Sequence, residues 1–316
     1  MEFETLPTVP TAEELLDRSL RRAAAKKKQK RNRDLANEEF VRAVAKSIYD
    51  RLESVIEKFP DFNRLPPFYM DLVEILYKKD RIQKSLGAVQ WAAEKSKELG
   101  YSYAKEMKDS PDSSLIRKRA VARISSVVNQ VDSDLRFLND ARNVLRKLPD
   151  ISDDFTVVVA GYPNVGKSSF IRLVSSATPE IANYPFTTKG IIVGHHEIGR
   201  ERVQFVDTPG LLDRPVEERN IIEQQALSAI INTAHIILFI LDPSEHCGYS
   251  VDVQNALLGE IRGMVDAPVV VAANKSDLMV FDGILSMSTV TGEGVDIVLE
   301  ELLKYRSLHR QQESPQ

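Results

Sequence analysis

The hydrophobic pattern changes near the middle of the chain. The first 150 residues form long helical patterns rich in Ala, Leu, Lys and Glu, whereas the second half alternates short Val/Ile-rich runs with helical stretches. Thr11-Ala-Glu-Glu14 has the spacing of a capping box, with Thr11 as N-cap and Glu14 reaching back. The helix it starts runs into RSLRRAAAKKKQKRNR. A second helix is expected over 37–58, ending before Pro60, and RLPPFYMDLVEILYKK opens a third, since proline fits a first helical turn. Two longer patterns follow, at about 80–108 and 113–147, broken at DSPDSS. In the second half, FTVVVA (155–160), GIIVGHHEIG, RVQFVD (ending at Asp207), HIILFIL (235–241) and APVVVAA read as strands. The fold class expected is an α/β domain, a mainly parallel sheet with flanking helices, preceded by an all-α helical bundle. The boundary falls near KLPDISDD (147–154), giving domains 1–150 and 151–316, and no internal repeat is visible.

Charge sharpens this division. Residues 1–150 carry 30 Lys+Arg against 24 Asp+Glu, a net of +6; residues 151–316 carry 12 against 22, a net of −10. The overall −4 therefore hides a dipole. Nine of the residues in 18–33 are Lys or Arg, with no acid among them. Three readings of this run stand. It is a solvated helix, a nucleic-acid arm acting through counterion release, or a membrane-surface helix. Nucleic acid ranks first, with RNA shape or backbone ahead of base sequence. Against the membrane reading, the apolar face holds only Leu15, Leu16, Leu20 and alanines, with no aromatic anchor. A single Cys excludes a disulfide framework and favours a reducing, cytoplasmic setting. The N-terminus lacks the basic and apolar regions of a secretory signal, and no run approaches the roughly 18 apolar residues of a membrane span.

The sharpest chemistry follows FTVVVA directly. Gly161, Tyr162, Pro163, Asn164, Val165, Gly166, Lys167, Ser168 and Ser169 match G-x-x-x-x-G-K-[ST]. Glycines let backbone N–H groups wrap phosphates, Lys167 places a cation on the β/γ oxygens, Ser168 offers a hydroxyl to Mg²⁺, and the next helix aims its positive end at the phosphates. YPFTTKG (184–190) then offers Thr188, or Thr187, as a switch threonine for the γ-phosphate and Mg²⁺. Asp207 ends a strand where it can hold Mg²⁺ through water, and Gly210 can give its N–H to the γ-phosphate. Leu211 stands where many GTPases carry a water-orienting Gln; Gln224 and Gln225 fall on the next helix. Asn274, Lys275 and Asp277 follow a buried strand. The Asp277 carboxylate can accept from guanine N1–H and its 2-amino group, whereas adenine would leave it facing an acceptor. Ser288 and Thr289 offer a loop closing over the base.

These ordered motifs, GYPNVGKSS, YPFTTKG, DTPGLLD, NKSD and STVTGEG, resemble the translation-factor-class P-loop GTPases of the Obg-like group. The likeness is closer to the nucleolar GTP-binding protein family, through PTAEELLD, FPDFNRLPPFYMDLVEILYKKD, SLGAV, DRPVEERNIIEQQALSAI and DPSEHCGYS. The resemblance implies a GTPase domain gating a step of large-subunit assembly and a helical domain docking on rRNA. It also implies GTP/GDP and Mg²⁺ as ligands and a monomer off the ribosome. Eukaryotic members carry a long C-terminal extension; this chain, stopping at Gln316, looks like a short archaeal form, so nucleolar placement does not carry over. It further implies K⁺ at Asn164, in the role of an arginine finger. Lys167, Asn164 and Thr188 are thus the expected catalytic group, with Mg²⁺ on Ser168, Thr188 and Asp207. The expected function is a slowly hydrolysing GTP switch. The alternatives are an RNA-binding placeholder with structural nucleotide and a membrane-surface GTPase.

One departure and several other candidates remain. Ser288 follows Asn274 by only 14 positions, too few for the outer helix usual there, so the pairing of Ser288 and Thr289 with the base is in question. His195 and His196 sit on a strand, pointing to opposite faces, and do not share a metal. Cys247 reads as a buried, inert thiol. Phe68, Tyr69, Tyr77 and Trp91 read as core, and Glu217-Glu218 as a solvated helix start.

Overall fold

The computed structural model describes residues 3–27, 33–110, 112–182, 184, 190–207, 209, 221–281 and 283–313. The chain folds as two compact units, Met1–Leu65 with Leu76–Arg146, and Pro66–Ile75 with Lys147–Gln316.

The first unit is helical: α1 (Ala12–Lys27), α2 (Arg33–Ile56), α4 (Lys79–Glu106), α5 (Ser113–Gln130) and α6 (Asp132–Leu145). The capping box forms as the spacing demands, Thr11 N–H to Glu14 Oε2 at 3.0 Å and Glu14 N–H to Thr11 Oγ1 at 3.3 Å. Its core is built from Val41, Ile48 and Leu52 of α2, Ile82 and Val89 of α4, Ile124 of α5, and Leu135 and Leu138 of α6, all essentially inaccessible. Burying each such side chain contributes roughly 1.5–3 kcal/mol. Leu15 and Ala23 of α1 are buried in the same unit, which removes them from any membrane surface. Among the described residues no helix is long and apolar enough to cross a membrane.

Two expectations change here. The pattern over 113–147 is two helices, broken at Val131 (φ −105°, ψ 12°). Asp132 follows the break, where a carboxylate suits a helix N-terminus, and it accepts from Ala12 N–H (2.8 Å) and Arg136 Nε (2.7 Å). Trp91 is not core: it is 47% exposed, because the buried stripe of α4 runs through Val89, Ala92, Ala93 and Ser96. Phe68 and Tyr69 are buried, and Tyr77 is half-buried.

The second unit is built on a seven-stranded sheet of β1 (Phe155–Ala160), β2 (Glu180–Ala182), β3 (Ile191–Ile198), β4 (Glu201–Asp207), β5 (Ile236–Leu241), β6 (Val269–Ala273) and β7 (Leu285–Ser286). The order is β2-β3-β4-β1-β5-β6-β7; β1 is parallel to both neighbours, and β3 is antiparallel to β2 and β4. The helices are α7 (Lys167–Val174), α8 (Ile221–Ile231), α9 (Val251–Met264) and α10 (Val295–Glu313). Every residue of β5 is buried, as HIILFIL requires of a central parallel strand. Chain order reverses around β1, so the crevice at the carboxyl ends of β4, β1 and β5 is a topological switch point, where open α/β sheets bind ligands.

Residues 66–75, expected with the first half, group with this unit; they are most of α3 (Pro67–Tyr77). The Tyr69 hydroxyl donates to Pro149 O and accepts from Ile151 N–H, each at 3.0 Å, which fixes the segment leading into β1. On β3, His195 and His196 face opposite sides; His196 Nδ1 lies 2.7 Å from Val174 O. No group of three His, Cys, Asp or Glu side chains suited to a metal occurs among the described residues.

Candidate nucleotide site

The loop between β1 and α7 has the backbone that its glycines allow. Gly161 has φ +134°, and a Cβ there would sit 2.5 Å from Ile240 O. Gly166 has φ +106°, and a Cβ there would overlap Asn274 Nδ2. Asn164 adopts the left-handed region (φ 64°) with a side chain, a conformation Asn tolerates better than most residues. Val165 is fully buried under the loop, and Ser169 lies in the first turn of α7.

Lys167 is buried at the start of α7, its Nζ donating to Gly161 O (2.8 Å) and Tyr162 O (2.9 Å). Its ammonium thus sits inside the loop that would wrap phosphates. The next residue, Ser168, donates Oγ–H to Asp207 Oδ2 at 2.6 Å. Asp207 ends β4 beside Val159 of β1 and is fully buried. A hydroxyl and a buried carboxylate are hard oxygen donors, the set that Mg²⁺ takes beside substrate phosphates, so these residues fit that ion. Pro163, Asn164, Lys167, Ser168, Asp207 and Pro209 line one cleft of about 300 Å³. Thr187, Thr188, Gly210, Leu211, Glu217 and Glu218 lie outside the described residues.

The base-side motifs are braced on the same loop. Asn274, 1% exposed after β6, donates Nδ2–H to Val165 O (2.7 Å) and to Thr289 Oγ1 (3.0 Å), and accepts from Thr289 N–H (2.9 Å). Asp277 Oδ1 accepts from Ser288 Oγ at 2.5 Å, and Ser288 Oγ accepts in turn from the N–H groups of Val290 and Thr291. Among the described residues the short span after Asn274 holds a turn at 276–278 and two-residue β7 in place of a helix, and Ser288 and Thr289 hydrogen-bond Asp277 and Asn274.

Lys275 reaches a residue that motif reading missed. Its Nζ pairs with Asp242 Oδ2 at 2.6 Å, at the end of β5. Asp242 is fully buried and also accepts from Ser244 Oγ (2.5 Å) and Cys247 N–H (2.7 Å). Burial works against its ionisation, but Lys275, Ser244 and the Cys247 N–H outweigh that and hold the carboxyl below its ordinary value. Gln254 closes the loop, giving Nε2–H to Asp242 O and Tyr249 O and accepting from Asp242 N–H. Tyr249 stacks on Tyr162 of the phosphate loop, ring centroids 4.2 Å apart. Cys247 is buried, and burial pushes its thiol up. An Asp at the end of an all-apolar strand, followed by a short polar turn, was the available signal for this loop.

A glycine-shaped phosphate loop, a Ser–Asp pair and an Asn-Lys-x-Asp turn on one mainly parallel sheet define the class: a P-loop GTPase domain, here joined to an all-α domain. Comparison with known proteins narrows this. Residues 3–152 match the model of the NOG1 N-terminal helical domain, and residues 156–275 match that of the 50S ribosome-binding GTPase. An uncharacterized protein of Methanocaldococcus jannaschii is 43% identical over 288 residues, 88% of this chain and 81% of that one. Nucleolar GTP-binding protein 1 of Saccharomyces cerevisiae is 32% identical over 292 residues, 88% of this chain but 45% of that one. A crystal structure from Plasmodium falciparum described as a nucleolar GTP-binding protein 1 is 33% identical, with a TM-score of 0.45, covering 52% of this chain and 94% of that one. The chain belongs to the nucleolar GTP-binding protein family. It spans about half the length, or less, of curated relatives such as the yeast and fruit-fly proteins, at 45% and 37%.

Proposed function

We propose that the chain is a guanine-nucleotide switch, slow to hydrolyse GTP, that acts in large ribosomal subunit assembly through contacts with rRNA. The observation that carries the nucleotide part is the bracing of Asn274 on Val165, which ties base recognition to the phosphate loop. Asp277, oriented by Ser288, accepts from guanine N1–H and its 2-amino group; adenine would set an acceptor against the carboxylate. Lys167 exchanges its loop carbonyls for the β/γ oxygens. Ser168 directly and Asp207 through a water would hold Mg²⁺, together with Thr188 in the GTP state. Mg²⁺, when bound, offsets charge on the phosphate oxygens.

Slow turnover follows from Leu211, which offers no hydrogen bond to an attacking water. The two loops around 178–190 and 210–220 respond to the γ-phosphate, and the net +6 of residues 1–150 supplies the attraction to RNA. The family models, one a ribosome-binding GTPase and the other the NOG1 helical domain, support the ribosomal assignment. The test is GTP turnover by the full chain with and without purified large-subunit particles. Stimulation supports a particle-gated switch; an unchanged rate with retained particle binding makes the chain a placeholder with structural nucleotide, and no binding removes the ribosomal reading.

A further inference from the structure

The helical unit carries a cleft of about 410 Å³ between α2 and α4, within the roughly 300–1,000 Å³ of small-ligand sites. Its floor is Ala45 and Gly100, where the helices meet so closely that a Cβ on Gly100 would overlap Ala45 Cβ. Small residues there leave room for a flat group above. Two tyrosines line it, and each has a cation against its ring: Arg42 lies 5.3 Å from the Tyr101 centroid, and Lys97 lies 4.2 Å from that of Tyr49. Arg42 is held by Glu38 at 3.0 Å, so its guanidinium is placed in advance. Tyr101 is 60% exposed, an aromatic ring kept in water at the cleft rather than used for packing. Lys46 and Asp50 complete the lining, and a second cleft of about 740 Å³ shares them and continues the groove to Arg22 of α1.

We propose that this cleft takes one unpaired nucleotide of a single-stranded RNA segment, its base stacked on Tyr101 and its flanking phosphates met by Arg42, Lys46 and Lys97. Aromatic rings paired with arginine are platforms for unstacked bases, and cations along a groove track a phosphate backbone. Asp50 accepts from a ring N–H or exocyclic amine and repels phosphate, which sets the base edge against it. The continuing groove favours a strand over a free nucleotide. A duplex is disfavoured because its bases are already stacked. An acidic peptide would satisfy the cations but leave the rings without a partner.

This inference rests on the RNA reading above and is tested separately from it. The full GDP-loaded chain is titrated with a fluorescent single-stranded RNA 10-mer and with the same sequence as duplex, by anisotropy across a KCl series. Tyr101→Ala is expected to weaken the single strand about tenfold with an unchanged salt slope, and Tyr101→Phe to bind like wild type. Lys46→Gln is expected to reduce the slope by about 0.7. Guanosine monophosphate should not displace the strand. Strand binding with no response to Tyr101→Ala overturns the cleft and leaves the RNA reading intact, whereas no binding of any RNA by wild type overturns both. Equal Tyr101-dependent binding of duplex, or displacement by polyglutamate at RNA-like concentrations, also overturns the cleft.

Discussion

Asn274 donates to the carbonyl of Val165, 109 residues earlier, and so makes the base-recognition turn part of the phosphate loop. Asn274→Ala leaves that buried carbonyl without its donor, at a cost of about 1–3 kcal/mol. The same change frees Thr289 N–H. GDP affinity should therefore fall about 10- to 100-fold, with a lower melting temperature even in the absence of nucleotide. Fluorescent-GDP titration and thermal unfolding check both. A variant that loses affinity but melts like wild type would separate the two roles.

Asp277 gives a specificity test. Its Oδ1 is fixed by the Ser288 hydroxyl at 2.5 Å, which presents the carboxylate in one orientation. Asp277→Asn replaces two acceptors by one acceptor and one donor, which suits xanthine, with a carbonyl where guanine has an amine. GTP binding should drop about 100-fold and XTP binding should rise, measured by competition against labelled nucleotide. Ser288→Ala should weaken GTP less, because the carboxylate remains.

The nucleotide motifs are legible in the sequence because each is local: a strand, a fixed run of residues and a helix start. The bracing between them is not, since Asn274–Val165 and Lys275–Asp242 join distant segments whose meeting depends on strand order. Periodicity likewise carries the helices but not the break at Val131, where one apolar pattern runs through a turn closed by Asp132 and Ala12. Trp91 departs from its expected place in the core for a related reason: helical spacing says which residues share a face, and only packing says which face α4 buries. Residues 66–75 group with the GTPase unit, where Tyr69 reaches Pro149 and Ile151, an interaction no local pattern encodes.

Asp242 makes a pH-dependent prediction. Its folded carboxyl lies below the ordinary value, so its stabilisation is complete above the unfolded pKa of about 3.9 and is lost as pH falls through the lower folded one. Asp242→Ala also strands Lys275 and should destabilise the domain by about 3–5 kcal/mol near neutral pH. Urea unfolding over a pH series checks this: the gap between wild type and variant should hold at pH 6–8 and shrink progressively below about pH 4. A gap that stays constant to pH 2 would mean the carboxylate is not the stabilising form.

Cys247 should be silent until its loop opens. The thiol is buried, its ionisation is opposed first by burial and further by Asp242, and it contacts Tyr249 O and Gln254 Nε2. Aromatic disulfide reagents at pH 8 should label the native chain far more slowly than the unfolded chain, which carries the same single thiol. Saturating GDP should slow labelling further, since Tyr249 of this loop stacks on Tyr162 of the phosphate loop. Labelling rates unaffected by GDP would show that the loop moves independently of the nucleotide.

Leu211, in place of a water-orienting glutamine, leaves GTP hydrolysis to depend on other groups of the phosphate loop. Asn164 lines the phosphate cleft with Lys167 and Ser168 and holds a left-handed backbone at φ 64°. Its amide oxygen would be a ligand for a monovalent cation bound with the nucleotide. Such a cation would offset transition-state charge in the position an arginine finger fills in other GTPases, a role worth about 10³–10⁵ in rate when arginine fills it. Basal turnover should be higher in KCl than in NaCl at equal ionic strength, and Asn164→Ala should abolish the difference while leaving GDP affinity within a few-fold. Salt screening alone cannot mimic this, because it acts equally in both salts. Equal wild-type rates in the two salts would exclude the cation and leave charge compensation to another group of the chain or of a partner.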